Sequence, residues 1–320
     1  FLEKGREMSA NNIIVISAIG NDGPLWGTLN NPADNADVIG VGGIDYAGKI
    51  ASFSSRGMTT WEQPGGYGRV KPDIVAYGKD VPGASMNGGC RSLSGTSVAS
   101  PVVAGAVALL ASTVAEQDRA TRLNPAAMKQ ALVETAQRQS GSSIFEQGAG
   151  NLDLYKAYEA LTSRQPRASF WPDKWDLRAE ACPYMWPFCT QAIYHGMQPL
   201  IINTTILNSM GVTGHIDGPP VFEPTPGQGA ACLDVGVEHA PVLWPWSGYL
   251  ALYIRVTDAC KALGGTVEAG GELTVTVISP AHYGGAAPLR SKATLSLQVS
   301  IVPTPARSKR VLWDHWHNIQ

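Results

Sequence analysis

From Val98 to Ala115 the chain has no charged residue, and this run follows directly from a turn of small residues, Ser94-Gly95-Thr96-Ser97. Gly95 allows a tight turn, Thr96 and Ser97 are predicted to cap a helix, and Val102 to Leu110 are predicted to form its apolar body. The run approaches membrane length, but Ser100-Pro101 interrupts it and Ala, Val and Gly dominate it, so a helix buried in a globular domain is the better reading. The arrangement also sets the Ser97 hydroxyl at a helix start, where free N–H groups and the positive dipole end favour developing negative charge. A serine nucleophile needs that setting, because its attack on a carbonyl creates an oxyanion.

Around that helix the chain divides in two. Residues 1 to 163 alternate short apolar strands, predicted at Ile13–Ile16, Val38–Val41 and Ile50–Phe53, with helices at Thr96–Glu116, Pro125–Ala136 and Leu154–Leu161. Asn124-Pro125 is a good helix start, with Asn as cap and Pro at the first helical position. Such alternation predicts an α/β fold with a parallel sheet covered on both faces. From residue 164 to 302 the runs Leu200–Leu207, Tyr249–Val256, Leu273–Ile278 and Ala293–Val302 read as strands, several alternating apolar residues with Thr, Ser or Arg, between Gly/Pro-rich turns. They predict a β-sandwich, and residues 303 to 320 read as a linker or the start of a further region.

Composition narrows the function classes. Hydrophobic residues make up 44% and charged residues 16%, which excludes disorder, and a net charge of −2 without a long basic run gives no reason to expect nucleic acid as a partner. The short basic cluster Arg307-Ser308-Lys309-Arg310 is read as a solvated linker in preference to a processing site, and Trp244 and Trp246 as packing. Five cysteines are present. Cys182 with Cys189, and Cys232 with Cys260, are the pairs expected if disulfides form, although sequence does not fix the connectivity. Cys90 is left over. No Cys-x-x-Cys pair occurs, so no zinc site and no other cofactor is expected, and the sequence is silent on calcium. Asn203-Thr204-Thr205 is a sequon that makes Asn203 a candidate glycosylation site.

Five segments in order carry a resemblance. They are Ile14 to Gly23 with Gly20-Asn21, Phe53-Ser54-Ser55-Arg56-Gly57, Lys71-Pro72-Asp73-Ile74, Gly95-Thr96-Ser97-Val98-Ala99-Ser100-Pro101, and Gly148-Ala149-Gly150-Asn151-Leu152-Asp153. Together they resemble the subtilisin-like serine proteases, the subtilases. Cys182 to Pro187, Val242 to Tyr249, Arg307 to Asp314, Asn21 to Asp34 and Arg56 to Trp61 extend the resemblance to a branch of membrane-bound proprotein convertases over nearly the whole chain.

The resemblance implies that residues 1–163 are the C-terminal half of a subtilisin-like catalytic domain. It implies Ser97 as nucleophile within a motif that includes Gly95, Thr96 and Pro101, and Asn21 as oxyanion donor. Ser17, Ala18, Ile19 and Gly20 are implied as one wall of the pocket for the substrate residue before the scissile bond. The family's His and Asp stand upstream of the Asn, yet all six histidines here (His195, His215, His239, His282, His315 and His317) lie in the β-rich part or the tail. The chain is therefore expected to begin inside a catalytic domain and to be inactive alone. Protein substrates are implied, namely membrane-bound precursors cleaved on the lumenal side of the ER or Golgi, with a membrane anchor outside this chain. A non-catalytic scaffold is the alternative, but intact Ser97 and Asn21 argue against it. An α/β-hydrolase is disfavoured because Ser97 is followed by Val98-Ala99 and forms no Gly-x-Ser-x-Gly elbow.

Overall fold

The computed structural model describes residues 2–59, 68–178, 193–211, 213–227, 229–243, 247–280 and 287–306. Cys182, Cys189, Trp244, Trp246, the cluster at 307–310, His282, His315 and His317 lie outside the described residues.

The α/β part is built on three parallel strands, β1 (Ile16–Ala18), β2 (Ile39–Ile44) and β5 (Ile74–Tyr77), in the order β1-β2-β5. All six residues of β2 are buried, as expected for the middle strand of a sheet covered on both faces. Two small antiparallel pairs lie outside the sheet, β3 (Gly57–Met58) with β4 (Val70–Lys71), and β6 (Val81–Ala84) with β7 (Cys90–Leu93). The helices are α1 (Leu2–Ala10), α2 (Thr96–Ser112), α3 (Glu116–Arg122), α4 (Pro125–Thr135), α5 (Ile144–Gln147) and α6 (Leu154–Ser163).

Three expectations shift. Ile50–Phe53 forms only a bridge from Ile50 to Ile44, then turns, with Ser54 N–H donating to Ala51 O at 2.9 Å. The long apolar helix stops at Ser112 because the hydroxyls of Ser112 and Thr113 donate to Leu109 O and Leu110 O, each at 2.7 Å, where the chain turns. Its cap is Gly95, with no side-chain cap bond, so Thr96 and Ser97 are its first two helical residues. Asn124 does cap α4, accepting from Ala127 N–H at 2.8 Å, and Pro125 opens that helix.

The β-rich part is a sandwich. One sheet runs β13 (Leu233–His239), β14 (Ser247–Val256), β10 (Leu200–Asn208), β8 (Ala168–Trp171). The other runs β11 (His215–Ile216), β15 (Val267–Ser279), β16 (Leu289–Ile301), β9 (Lys174–Asp176), with β12 (Val221–Pro224) also on β15. Alternate residues Leu273, Val275 and Val277 of β15 and Leu295, Leu297 and Val299 of β16 are buried, which is the period-2 pattern of a strand with one face inward. A disulfide joins Cys232, just before β13, to Cys260, just after β14, with Cα atoms 5.3 Å apart, and closes the open end of that hairpin.

The two parts share one continuous apolar core, running from Ile39 and Leu132 through Phe145 to Trp175 and Leu207. Polar bonds register the junction. Gln130 Nε2 of α4 reaches Arg167 O at 3.0 Å, Ser169 Oγ at 2.9 Å and Leu207 O at 3.0 Å. Asn124 Nδ2 donates to Ser209 O at 3.1 Å, and Ser247 Oγ donates to Asp37.

Asn203 of the sequon lies within the sandwich. It sits in β10 opposite Ala251 of β14 and is 1% exposed. The next residue, Thr204, is equally sealed and donates to Pro172 O at 2.8 Å.

Candidate active site

Asn21 and Ser97 stand together at the carboxyl ends of the parallel strands. Asn21 follows β1 by three residues, and the turn that starts α2 is seated on the end of β5, where Gly95 N–H donates to Gly78 O at 2.8 Å. Gly78 makes that seat possible, since a methyl group there would stand 2.9 Å from Gly95 O and 3.1 Å from the Ala99 Cβ. The mouth of an open parallel sheet is where α/β proteins place their ligands.

Thr96 is the hinge of the site, a role the sequence did not single out. Its backbone N–H donates to Asn21 Oδ1 at 2.8 Å. Its hydroxyl accepts from Gly20 N–H at 3.2 Å, and its proton lies between Gly20 O at 3.1 Å and Asn21 Oδ1 at 3.0 Å. Because a backbone N–H can only donate, Oδ1 must face Thr96, and the Asn21 amide is fixed with Nδ2 on the other side. Thr96 is 1% exposed, whereas Asn21 and Ser97 are both solvent-exposed.

Between Nδ2 and the Ser97 hydroxyl lies space that Gly95 leaves open. A methyl group built on Gly95 would stand 3.0 Å from Ser97 Oγ and 3.4 Å from Asn21 Nδ2. As the second residue of α2, Ser97 also presents a backbone N–H that has no acceptor within its own helix. The corner therefore combines a hydroxyl, a side-chain N–H and a helix-start N–H around one small volume.

Behind it the Asn21 turn is fastened to residues 53–55. Ser55 N–H donates to Gly20 O at 3.0 Å, Ser55 Oγ accepts from Asp22 N–H at 3.1 Å, and Gly23 N–H donates to Phe53 O at 2.9 Å. Gly20 adopts φ 117°, and a side chain there would meet Ser55 Oγ at 2.6 Å. Of the expected pocket wall, Ser17 and Ala18 are half-buried. Ile19 is 0% exposed with its Cδ1 packed against Gly40, so its side chain does not line an open wall. Pro101 is exposed on α2.

A second polar cluster lies beneath the sheet. Asp73 accepts from Lys71 Nζ at 2.6 Å, from Gly40 N–H at 2.8 Å, and faces Lys129 Nζ at 2.7 Å. Lys71 also donates to Val38 O at 2.7 Å and Lys129 to Ala36 O at 2.9 Å. Burial pushes the Asp73 carboxyl up, but the ammonium groups of Lys129 and Lys71 outweigh it and hold it below the usual carboxylate range. No group of three or more His, Cys, Asp or Glu side chains placed to hold a metal occurs among the described residues. The described histidines are on the sandwich part; His195 Nε2 lies 2.8 Å from Asp258 Oδ1 and His239 Nδ1 lies 3.0 Å from Ala240 O.

Comparison with known proteins gives a separate match for each part of the chain. The subtilase family model matches residues 3–150, and a model described as the third Ig-like domain of MBTPS1 matches residues 171–304. The subtilisin-like protease SBT6.1 of Arabidopsis thaliana is 55% identical over 320 residues, covering 100% of this chain and 30% of that protein. The membrane-bound transcription factor site-1 protease of Mus musculus is 56% identical over 324 residues, again 100% of this chain and 30% of the relative. A thermophilic serine proteinase of Bacillus sp. (strain AK1) is 36% identical over 144 residues, 45% of this chain and 30% of that protein. The chain thus spans about 30% of the length of the relatives that match it throughout. It carries a subtilase domain followed by an Ig-like domain, and over its full length it is similar to the site-1 proteases.

Proposed function

We propose that this chain carries the nucleophile side of a serine endopeptidase site. Ser97 Oγ attacks the substrate carbonyl carbon, the carbonyl π electrons move onto oxygen, and the oxyanion settles between Asn21 Nδ2 and the Ser97 N–H. The C–N bond then breaks as the general base returns the Ser97 proton to the leaving amine, giving an acyl-enzyme that water hydrolyses. The observation that carries this reading is the orientation of the Asn21 amide, whose oxygen is taken up by Thr96 N–H and whose N–H faces the space beside Ser97 that Gly95 keeps open.

The Ser97 proton must go to a general base, a histidine in this family, and residues 1–163 contain no histidine. The chain alone is accordingly proposed to be inactive, with the base and its orienting carboxylate supplied by the whole protein. The names of the site-1 protease relatives extend the reading. Those names give membrane-bound transcription factors as the substrates, and the resemblance of the sequence extends this to precursors cut on the lumenal side of the secretory pathway by a membrane-bound enzyme. The Cys232–Cys260 disulfide suits such an oxidising compartment. Among the described residues no helix is long and apolar enough to cross a membrane.

The test is covalent labelling of the full-length protein by a fluorophosphonate. Labelling at Ser97 that Ser97→Ala abolishes supports the reading, and a folded full-length protein that never labels refutes it. In subtilisin, the type case of this chemistry, loss of the oxyanion amide costs about 100- to 1000-fold in turnover. Asn21→Ala is expected to slow the labelling step on that scale.

A further inference from the structure

The turn that holds Asn21 has two supports, and only one belongs to the α/β part's own nucleophile region. The first is Thr96. The second begins at Trp26, five residues after Asn21, whose ring packs edge-on against Phe145 of α5 with centroids 5.1 Å apart and planes at 71°. Phe145 is fully buried and packs in turn on Trp175 of β9, centroids 6.3 Å apart. Trp175 belongs to the sandwich and is 1% exposed.

The backbone reinforces this stack. Gly27 N–H and Thr28 N–H both donate to Arg56 O, at 3.0 and 3.3 Å, and Trp26 bridges Arg56. The Arg56 guanidinium pairs with Glu146, the neighbour of Phe145, while Ser55, the neighbour of Arg56, bonds the Gly20–Asp22 backbone directly. The segment that carries Asn21 is therefore tied at Trp26 to Phe145, and at Gly20 and Asp22 to Ser55, next to the Arg56 that pairs with Glu146, while Phe145 itself rests on the second part of the molecule.

We propose that Trp175 is a positioning residue for the oxyanion amide, so that the Ig-like sandwich sets the geometry of the site as well as its stability. The proposal rests on the assignment of Asn21 and Ser97 above. Direct packing through Phe145 and Trp26 is the physical means, and a shift of about 1 Å at a catalytic group costs on the order of 100-fold.

The test uses the full-length protein and fluorophosphonate, separating the maximal inactivation rate from the half-saturating probe concentration well below every variant's Tm. Trp175→Leu is expected to lower the maximal rate about 10- to 100-fold while shifting half-saturation less than about threefold, and Trp175→Phe to restore most of the rate. Ile254→Ala, a cavity in the sandwich core on β14, is expected to lower Tm and leave the rate unchanged. In an Asn21→Ala background Trp175→Leu is expected to add little, since the amide it positions is gone. A wild-type rate in Trp175→Leu overturns the proposal, as does an equal loss in Ile254→Ala or full additivity with Asn21→Ala. Should Trp175→Leu fail to fold, Phe145→Leu is judged by the same criteria. A normal rate in Asn21→Ala refutes the oxyanion assignment itself, which separates the two failures.

Discussion

The corner at Asn21, Thr96 and Ser97 and the cluster at Lys71, Asp73 and Lys129 hang polar side chains on the same three-stranded sheet, under opposite conditions. In the corner, Asn21 and Ser97 face water and a buried threonine aims one of them. In the cluster, Lys71 and Asp73 are each 1% or less exposed, so their charges depend on one another. Groups that must meet a substrate are held by hydrogen bonds from behind and remain cheap to alter for folding. Groups sealed under the sheet have no water to fall back on, and removing one strands the others.

This contrast can be broken by experiment, beginning with the largest effect. Ser97→Ala should eliminate fluorophosphonate labelling of the full-length protein while changing stability by less than about 0.5 kcal/mol, as measured by urea denaturation. Asp73→Asn should do the reverse, costing about 3–5 kcal/mol because two buried ammonium groups lose their counter-charge. A cost under about 1 kcal/mol would show that the cluster is not the sealed unit described here.

Acid titration sharpens the same point. The Asp73 carboxyl is held below its ordinary range in the fold, so its contribution is complete above the unfolded value of about 4. It is lost as pH falls from there through the folded value. Asp73→Asn should flatten the stability profile below about pH 4 and leave its shape near neutrality intact. The smallest effect is expected at the junction. Gln130→Ala leaves buried acceptors at Arg167 and Leu207 without that donor and should cost about 1–3 kcal/mol in the same urea measurement.

The legible parts of the molecule were those written in consecutive residues. The glycine turn feeding α2, the Asn124-Pro125 start of α4 and the alternating strands of the sandwich could each be read locally, because propensity and burial act over a few positions. The ordered motifs brought Asn21 and Ser97 to attention although they lie far apart in the chain. What stayed hidden depends on contacts between distant segments. Thr96 reads as a helix cap until Gly20 and Asn21 are found beside it. Lys71-Pro72-Asp73 reads as a motif, and nothing in it announces that Lys129 completes the cluster from α4. Gln130 looks like a surface residue of a helix, and its three acceptors come from the other part of the chain. Asn203-Thr204-Thr205 reads as a sequon, and nothing in those three residues announces that they are buried in a sheet.

The burial of Asn203 has a consequence in time as well as in structure. A sequon is read as the chain emerges, before β10 has closed between β8 and β14, whereas the burial of Asn203 exists only afterwards. Whether Asn203 carries a sugar is therefore decided by the order of two events, recognition of the sequon and closure of β10, and not by the finished fold alone.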